Sequence, residues 1–320
     1  MSFEIKQKFL EHVKGPVFPI PTPFTENGDV DYEGLRRYVE FLLSQDARTV
    51  MVTVGTSRFD VLTVEEMKKV NETVAKIAKG RAIVIVTTPT KGPTSQAIDF
   101  ANHAEAIGAD GILAVYPDRF YYENDVYRYF VDIAKSCSVG VLIHLMSIPT
   151  GRAGLGPQVH YSPELIERIV AIDNVAGLKE ESHDQGLSYR YCRSLVDKIV
   201  IIGGAGGMRD YLTKHHWEQQ AYLVGIGNFI PKLEIDFYKA LTQSDYDTAR
   251  KIIFEYEEPF FSAAIKAGWH LSLKEALACA DLMEPWERLP VSRLKDDDRA
   301  EIISVLKSES YNIVFRKSKD

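Results

Sequence analysis

Eight times between Val17 and Leu241, a short apolar run rich in β-branched residues gives way to a longer amphipathic one. The apolar runs are Val17–Pro21, Thr49–Val54, Ala82–Thr87, Gly111–Val115, Val139–Leu145, Asn174–Leu178, Lys198–Gly203 and Ala221–Ile226. The amphipathic runs behind them are Tyr32–Leu43, Val64–Ala78, Thr94–Ile107, Val126–Ser136, Pro163–Ala171, a stretch around Leu187–Leu195, Met208–His215 and Ile230–Leu241. Before the second of these, Thr63 and Glu66 have capping-box spacing, in which hydroxyl and carboxylate each satisfy a free backbone N–H. The apolar runs do not alternate with polar residues, as expected of strands covered by helices. Eight strand–helix units predict an α/β fold, a closed TIM (β/α)8 barrel rather than an open sheet.

From about Asp245 onward the pattern is helical, with runs over Tyr246–Ile265, Ser272–Leu282 and Asp296–Leu306 that the barrel does not need. The expected organisation is a barrel over residues 1–244 and a C-terminal helical extension over 245–320 packed on it. The 320 residues, 45% of them hydrophobic, suffice for one large core. No apolar run is long enough to span a bilayer, and no basic-then-apolar leader follows Met1. The net charge is -7 and the basic residues form no stripe, which argues against nucleic acid as a partner. Cys137, Cys192 and Cys279 are scattered without metal or redox spacing, and a reducing cytoplasm is their expected home. Neither a cofactor nor a metal is expected.

In such a barrel the chemistry sits at the C-terminal ends of the strands. Lys179 closes the sixth apolar run, so its amine is expected at the mouth. A lysine there needs a partner or a lowered pKa, and a neutral amine is what attacks a ketone. The alternative is a lysine that pairs with Glu180 or Glu181. After the second run, Thr56 and Ser57 offer hydroxyls to a carboxylate or, alternatively, an N-cap to a helix. Glycines after runs seven and eight, around Gly204 and Ile226, suit an anion or simply a tight turn. Arg152, in a loop before the lysine strand, either clamps an acid bidentately or faces solvent. His144 ends the fifth run, as a proton carrier or as a residue capping the strand end.

Together these residues resemble the dihydrodipicolinate synthase/N-acetylneuraminate lyase family. Pro19-Ile20-Pro21-Thr22-Pro23-Phe24, Asp29-Val30-Asp31 and Arg288-Leu289-Pro290-Val291 carry the resemblance across nearly the whole chain. Gly177-Leu178-Lys179-Glu180 is similar to the family's lysine signature, and Gly55-Thr56-Ser57 to its carboxylate-binding turn. The resemblance implies a class I aldolase-type lyase in which Lys179 forms a Schiff base with pyruvate or a related 2-oxo acid. It implies that Thr56 and Ser57 bind the carboxylate and help relay protons, with Ser57 counted among the catalytic residues, and that the backbone near Gly204 and Ile226 holds the oxo acid. Arg152 would then receive a second substrate, an aldehyde or sugar acid, and the assembly would be a homotetramer, a dimer of dimers.

Three positions depart from the family pattern. His144 stands where the family has its proton-shuttling tyrosine. Arg58-Phe59 replaces a Gly-Glu pair. The fourth-strand loop reads Tyr116-Pro117-Asp118-Arg119-Phe120-Tyr121-Tyr122 in place of Pro-Tyr-Tyr. These departures point away from lysine biosynthesis itself. A keto-deoxy sugar acid dehydratase or decarboxylase using the same imine is the competing enzyme reading; an inactive barrel that binds a 2-oxo acid is the non-enzyme one. A phosphate-sugar enzyme lacks a basic residue beside its glycines. A metal hydrolase lacks a ligand pattern among His144, His160 and His183.

Overall fold

The computed structural model of the chain describes residues 2–149, 158–308 and 311. A closed barrel of eight parallel strands forms its centre, each strand paired with its sequence neighbours and the last with the first. The strands are β1 (Gly15–Pro19), β2 (Thr49–Met51), β3 (Ile83–Thr87), β4 (Gly111–Ala114), β5 (Gly140–Met146), β6 (Val175–Glu181), β7 (Val200–Gly203) and β8 (Ala221–Leu223). Alternating with them are α2 (Tyr32–Ser44), α3 (Val64–Ala78), α4 (Thr94–Ala106), α5 (Glu123–Ser136), α6 (Pro163–Val170), α7 (Gln185–Leu195), α8 (Gly207–Lys214) and α9 (Pro231–Thr242). The alternation read from sequence therefore builds the expected barrel. Thr63 and Glu66 form the expected capping box, with N–H···O distances of 3.2 and 2.9 Å.

Two apolar layers follow from strand geometry, because successive side chains point to opposite faces. One fills the barrel with Val17, Met51, Ile85, Leu113, Leu142, Val200 and Ile202; the other lies between sheet and helices. A helix absent from the sequence expectation, α1 (Ser2–His12), closes the barrel floor. Its Phe9 is fully buried among the interior residues. A Cβ on Gly111 or Gly140 would lie 2.7 or 2.6 Å from that ring, so the ring fits only because two strands lack side chains there.

Two strands end three residues earlier than expected. β2 stops at Met51 because Thr53 turns the chain at φ 55°. β8 stops at Leu223 because the backbone of Gly225 and Gly227 wraps a side chain, described below.

The C-terminal residues form α10 (Tyr246–Ile252), a π-helical turn (Ile253–Glu257), α11 (Glu258–Ala267), α12 (Trp269–Cys279) and α13 (Asp296–Leu306). The helix expected over Tyr246–Ile265 thus contains a wider turn. The next begins at Trp269 rather than Ser272, because Gly268, at φ 110°, separates it from α11. Among the described residues no helix is long and apolar enough to cross a membrane.

Candidate active site

Strand parity assembles the site. β5 and β6 are parallel neighbours, and His144 and Lys179 are partners in their register. Glu181 lies two residues beyond Lys179, hence on the same face. Three groups converge: Lys179 Nζ lies 2.8 Å from His144 Nε2, His144 Nε2 lies 2.7 Å from Glu181 Oε2, and Nζ donates to the same Oε2. Glu180, of opposite parity, turns outward. It is buried between sheet and helices and accepts from Lys214 and Ser188 at 2.9 and 2.6 Å. Of the two carboxylates the sequence offered Lys179, the structure pairs it with Glu181.

Lys179 is 4% exposed, so its amine is largely shielded from water and its partners set its proton traffic. Burial, and then the adjacent lysine charge, lowers the His144 pKa to about 4, leaving a neutral imidazole. Burial works to raise Glu181, but the Lys179 charge and the His144 hydrogen bond outweigh it and hold this carboxyl well below its usual range. Nε2 is within reach of both partners: protonated, it donates to the carboxylate, and unprotonated, it accepts from the lysine amine. Nδ1 is buried without a partner among the described residues.

The triad opens onto a cavity of about 500 Å³ at the C-terminal ends of the strands, lined by Thr56, His144, Lys179, Glu181 and Gly204 among others. A Cβ on Gly204 would lie 3.1 Å from Lys179 Nζ and 3.0 Å from Glu181 Cβ, so this glycine makes room for the amine. Its N–H donates to the Glu180 carbonyl at 2.7 Å and is not free for a ligand.

Other expected positions fall elsewhere. Ser57 is fully buried away from the lining, with its hydroxyl on the Ile20 carbonyl and the Val54 N–H, so it braces the turn that presents Thr56. Ile226 is fully buried, and Val224 and Gly225 form the wall in its place. Arg152 lies outside the described residues. Arg58 forms a two-pronged pair with the buried Glu287 at 3.1 and 3.2 Å, tying the Thr56 turn to the C-terminal segment, while Phe59 lines the cavity. In the fourth-strand loop, Tyr116 packs edge-on against Tyr129, and Tyr121 and Tyr122 are exposed.

The glycine-rich turns already hold the protein's own carboxyl groups. Glu234 on α9 accepts from the N–H groups of Gly225 and Gly227 at 3.1 and 3.2 Å and from the Tyr222 hydroxyl at 2.8 Å. Glu257, in the π turn, accepts from the N–H groups of Met208 and Arg209 at 2.7 and 2.9 Å. The N-terminus of α8, where barrels of this kind often bind phosphate, is therefore filled by the protein's own carboxylate.

Sequence reasoning missed several lining residues. Glu181 was readable as the same-face neighbour of Lys179. Phe261, Ile265, Trp269 and His270 come from the C-terminal helices, and no local pattern marks them.

The sequence matches the Dihydrodipicolinate synthetase family over residues 12–309, and the chain belongs to that family of class I aldolase-type lyases. It is 29% identical over 294 residues to 4-hydroxy-tetrahydrodipicolinate synthase of Chloroherpeton thalassium, covering 91% of this chain and 93% of the relative. It is 27% identical over 301 residues to the enzyme of that name from Pelobacter propionicus, covering 92% and 98%. Two solved structures share the fold. Dihydrodipicolinate synthase from Oceanobacillus iheyensis superposes with a TM-score of 0.82 at 22% identity, covering 94% of this chain and 98% of that one. The sialic acid aldolase of Ruminococcus gnavus gives 0.81 at 19%, covering 92% and 96%.

Proposed function

We propose that Lys179 is the nucleophile of this lyase and that His144 and Glu181 move its protons. The observation that carries the reading is the shielded lysine amine in contact with both groups at the rim of the 500 Å³ cavity. Glu181 takes a proton from the ammonium, and His144 Nε2 lies within reach of both groups. The freed amine attacks the carbonyl carbon of a 2-oxo acid whose carboxylate rests on Thr56, and one of the amine's protons passes to the alkoxide oxygen to give the carbinolamine. Glu181 returns the proton to the carbinolamine hydroxyl, which leaves as water. The resulting iminium draws electrons from the adjacent carbon, whose proton passes to the same carboxylate and leaves an enamine. The enamine adds to an aldehyde, and the reverse sequence cleaves the bond.

Pyruvate is the simplest oxo acid for this site. The phosphate-sugar alternative loses support because Glu234 and Glu257 occupy the backbone donors it requires. The exposed Tyr121 and Tyr122 suit a contact between copies, consistent with a homotetramer in the cytoplasm; sedimentation as a monomer at micromolar concentration would contradict the assembly.

Borohydride added with pyruvate tests the mechanism. It should inactivate the enzyme and leave one reduced adduct per chain on the peptide containing Lys179, with none in Lys179→Ala. Lys179→Arg should also fail, since a guanidinium stays protonated. An adduct on another lysine would refute the assignment.

A further inference from the structure

The cavity is larger than a three-carbon oxo acid needs, and its remaining surface has a distinct chemistry. Phe59 comes from the turn after β2, Phe261 and Ile265 from α11, and Trp269 from α12. Phe261 and Trp269 stack with ring centroids 4.6 Å apart and planes 30° apart. Both lie against the end of β8: a Cβ on Gly225 would meet Phe261 at 2.8 Å and Trp269 at 3.4 Å. Ile265 is 63% exposed and Met146 39%, although both belong to the same lining, so the mouth itself is apolar.

Polar partners are few. Among the described lining residues only Lys179 and Glu181 carry charge, and they are paired with each other; none is Asp, Asn, Gln or Arg. The N–H groups of Gly225 and Gly227 and those opening α8 hold Glu234 and Glu257. Outside α12, the other polar side chains of the described lining are Thr56, His144, Ser147 and His183. One side chain from α12 differs. His270 lines the cavity beside Trp269, and no hydrogen bond involves its ring among the described residues. Burial, then the Arg58 charge, lowers its pKa to about 4 against the pull of Glu181, so the imidazole is neutral.

Building on Lys179 as the carrier of the oxo acid, we propose that the second reactant is an aryl aldehyde, its ring on the Phe261–Trp269 wall and its carbonyl oxygen at His270. In cleavage, His270 takes the proton of the carbinol hydroxyl. The bond from the carbinol carbon to the carbon beside the iminium breaks, and its electron pair enters the iminium to give the enamine. The aryl aldehyde departs. In synthesis the enamine carbon attacks the aldehyde carbon, and the alkoxide oxygen takes the proton back from His270. Nothing is oxidised or reduced overall.

The test uses the full chain with pyruvate and either benzaldehyde or glyceraldehyde, the carbon–carbon product being read by mass spectrometry and pyruvate trapping by borohydride in parallel. Benzaldehyde should react at least about tenfold faster, and Trp269→Ala should raise its KM about tenfold while trapping still proceeds. His270→Gln should lower kcat for benzaldehyde by about 100-fold with KM little altered and trapping retained. Trapping with no preference for benzaldehyde, or a Trp269→Ala enzyme with its KM intact, overturns the aryl assignment alone. Full turnover by His270→Gln overturns the role of that imidazole. Failure of trapping in the parent overturns the imine and the aryl proposal with it.

Discussion

Lys179 and His144 face each other across adjacent parallel strands, Nζ to Nε2 at 2.8 Å, and Glu181 touches both. A fixed triangle of amine, imidazole and carboxylate places three proton-binding atoms within hydrogen-bond reach. Proton transfers around imine formation therefore need no rearrangement of the backbone.

Removing one corner should slow the chemistry more than it weakens binding. His144→Ala is expected to lower kcat by about 100-fold or more while leaving KM for the oxo acid within a few-fold. Steady-state kinetics would check this, and turnover within twofold of the parent would count against any proton-handling role.

Gly204 should tolerate no side chain. The methyl of Gly204→Ala would press on Lys179 Nζ and Glu181 Cβ, and a displaced amine is expected to lose about 10- to 100-fold in kcat. Thermal unfolding should move little by comparison. Parental activity in Gly204→Ala would mean that the amine sits elsewhere during catalysis.

Acid should weaken the fold through two histidines held neutral in the folded chain. His144 and His270 protonate only near pH 4 in the folded chain, against 6.5 in the unfolded one. Between those values the unfolded state binds more protons, so their contribution to stability declines as pH falls from 6.5 toward 4. Denaturant midpoints of the parent should therefore fall relative to a His144→Gln/His270→Gln variant across that window. Parallel curves would show that neither histidine is held neutral.

Glu257 joins the C-terminal helices to the glycine turn. Glu257→Ala leaves the Met208 and Arg209 N–H groups without an acceptor, which should cost about 1–3 kcal/mol. Glu257→Gln keeps one acceptor oxygen and should recover part of the loss. Urea unfolding of the two variants would measure it, and equal stabilities would argue against the capping role.

The barrel was legible because its signal is local and repeated: each strand carries its own apolar run and each helix its own stripe. Lys179 was legible for the same reason, standing at the end of one such run. Ser57 was misplaced because sequence gives the turn but not the direction of each hydroxyl, and the Ile20 carbonyl claims this one. Ile226 was misplaced because the strand ends three residues earlier, where Glu234 folds the glycines around itself. Trp269 and His270 carry no pattern at all. They fall between two expected helices, and only the packing of α11 and α12 on the barrel brings them to the lysine.

The π turn at Ile253–Glu257 sets the rotational phase of everything that follows it. An α-helix advances about 100° per residue, and a π turn accommodates roughly one residue more than a regular turn. Deleting one residue within 253–257 would let the segment run on as ordinary α-helix with the parts on either side keeping nearly their phase, whereas deleting one from the regular turns of α10 would turn those parts by about 100° relative to each other. With α10 held on α9, Phe261 and Ile265 would swing away from the cavity; with α11 held in place, α10 would lose its seat. The aromatic wall thus depends on the length of a helix that lies outside the cavity lining, and the π turn is a place where a residue can be lost without re-aiming Phe261 and Ile265.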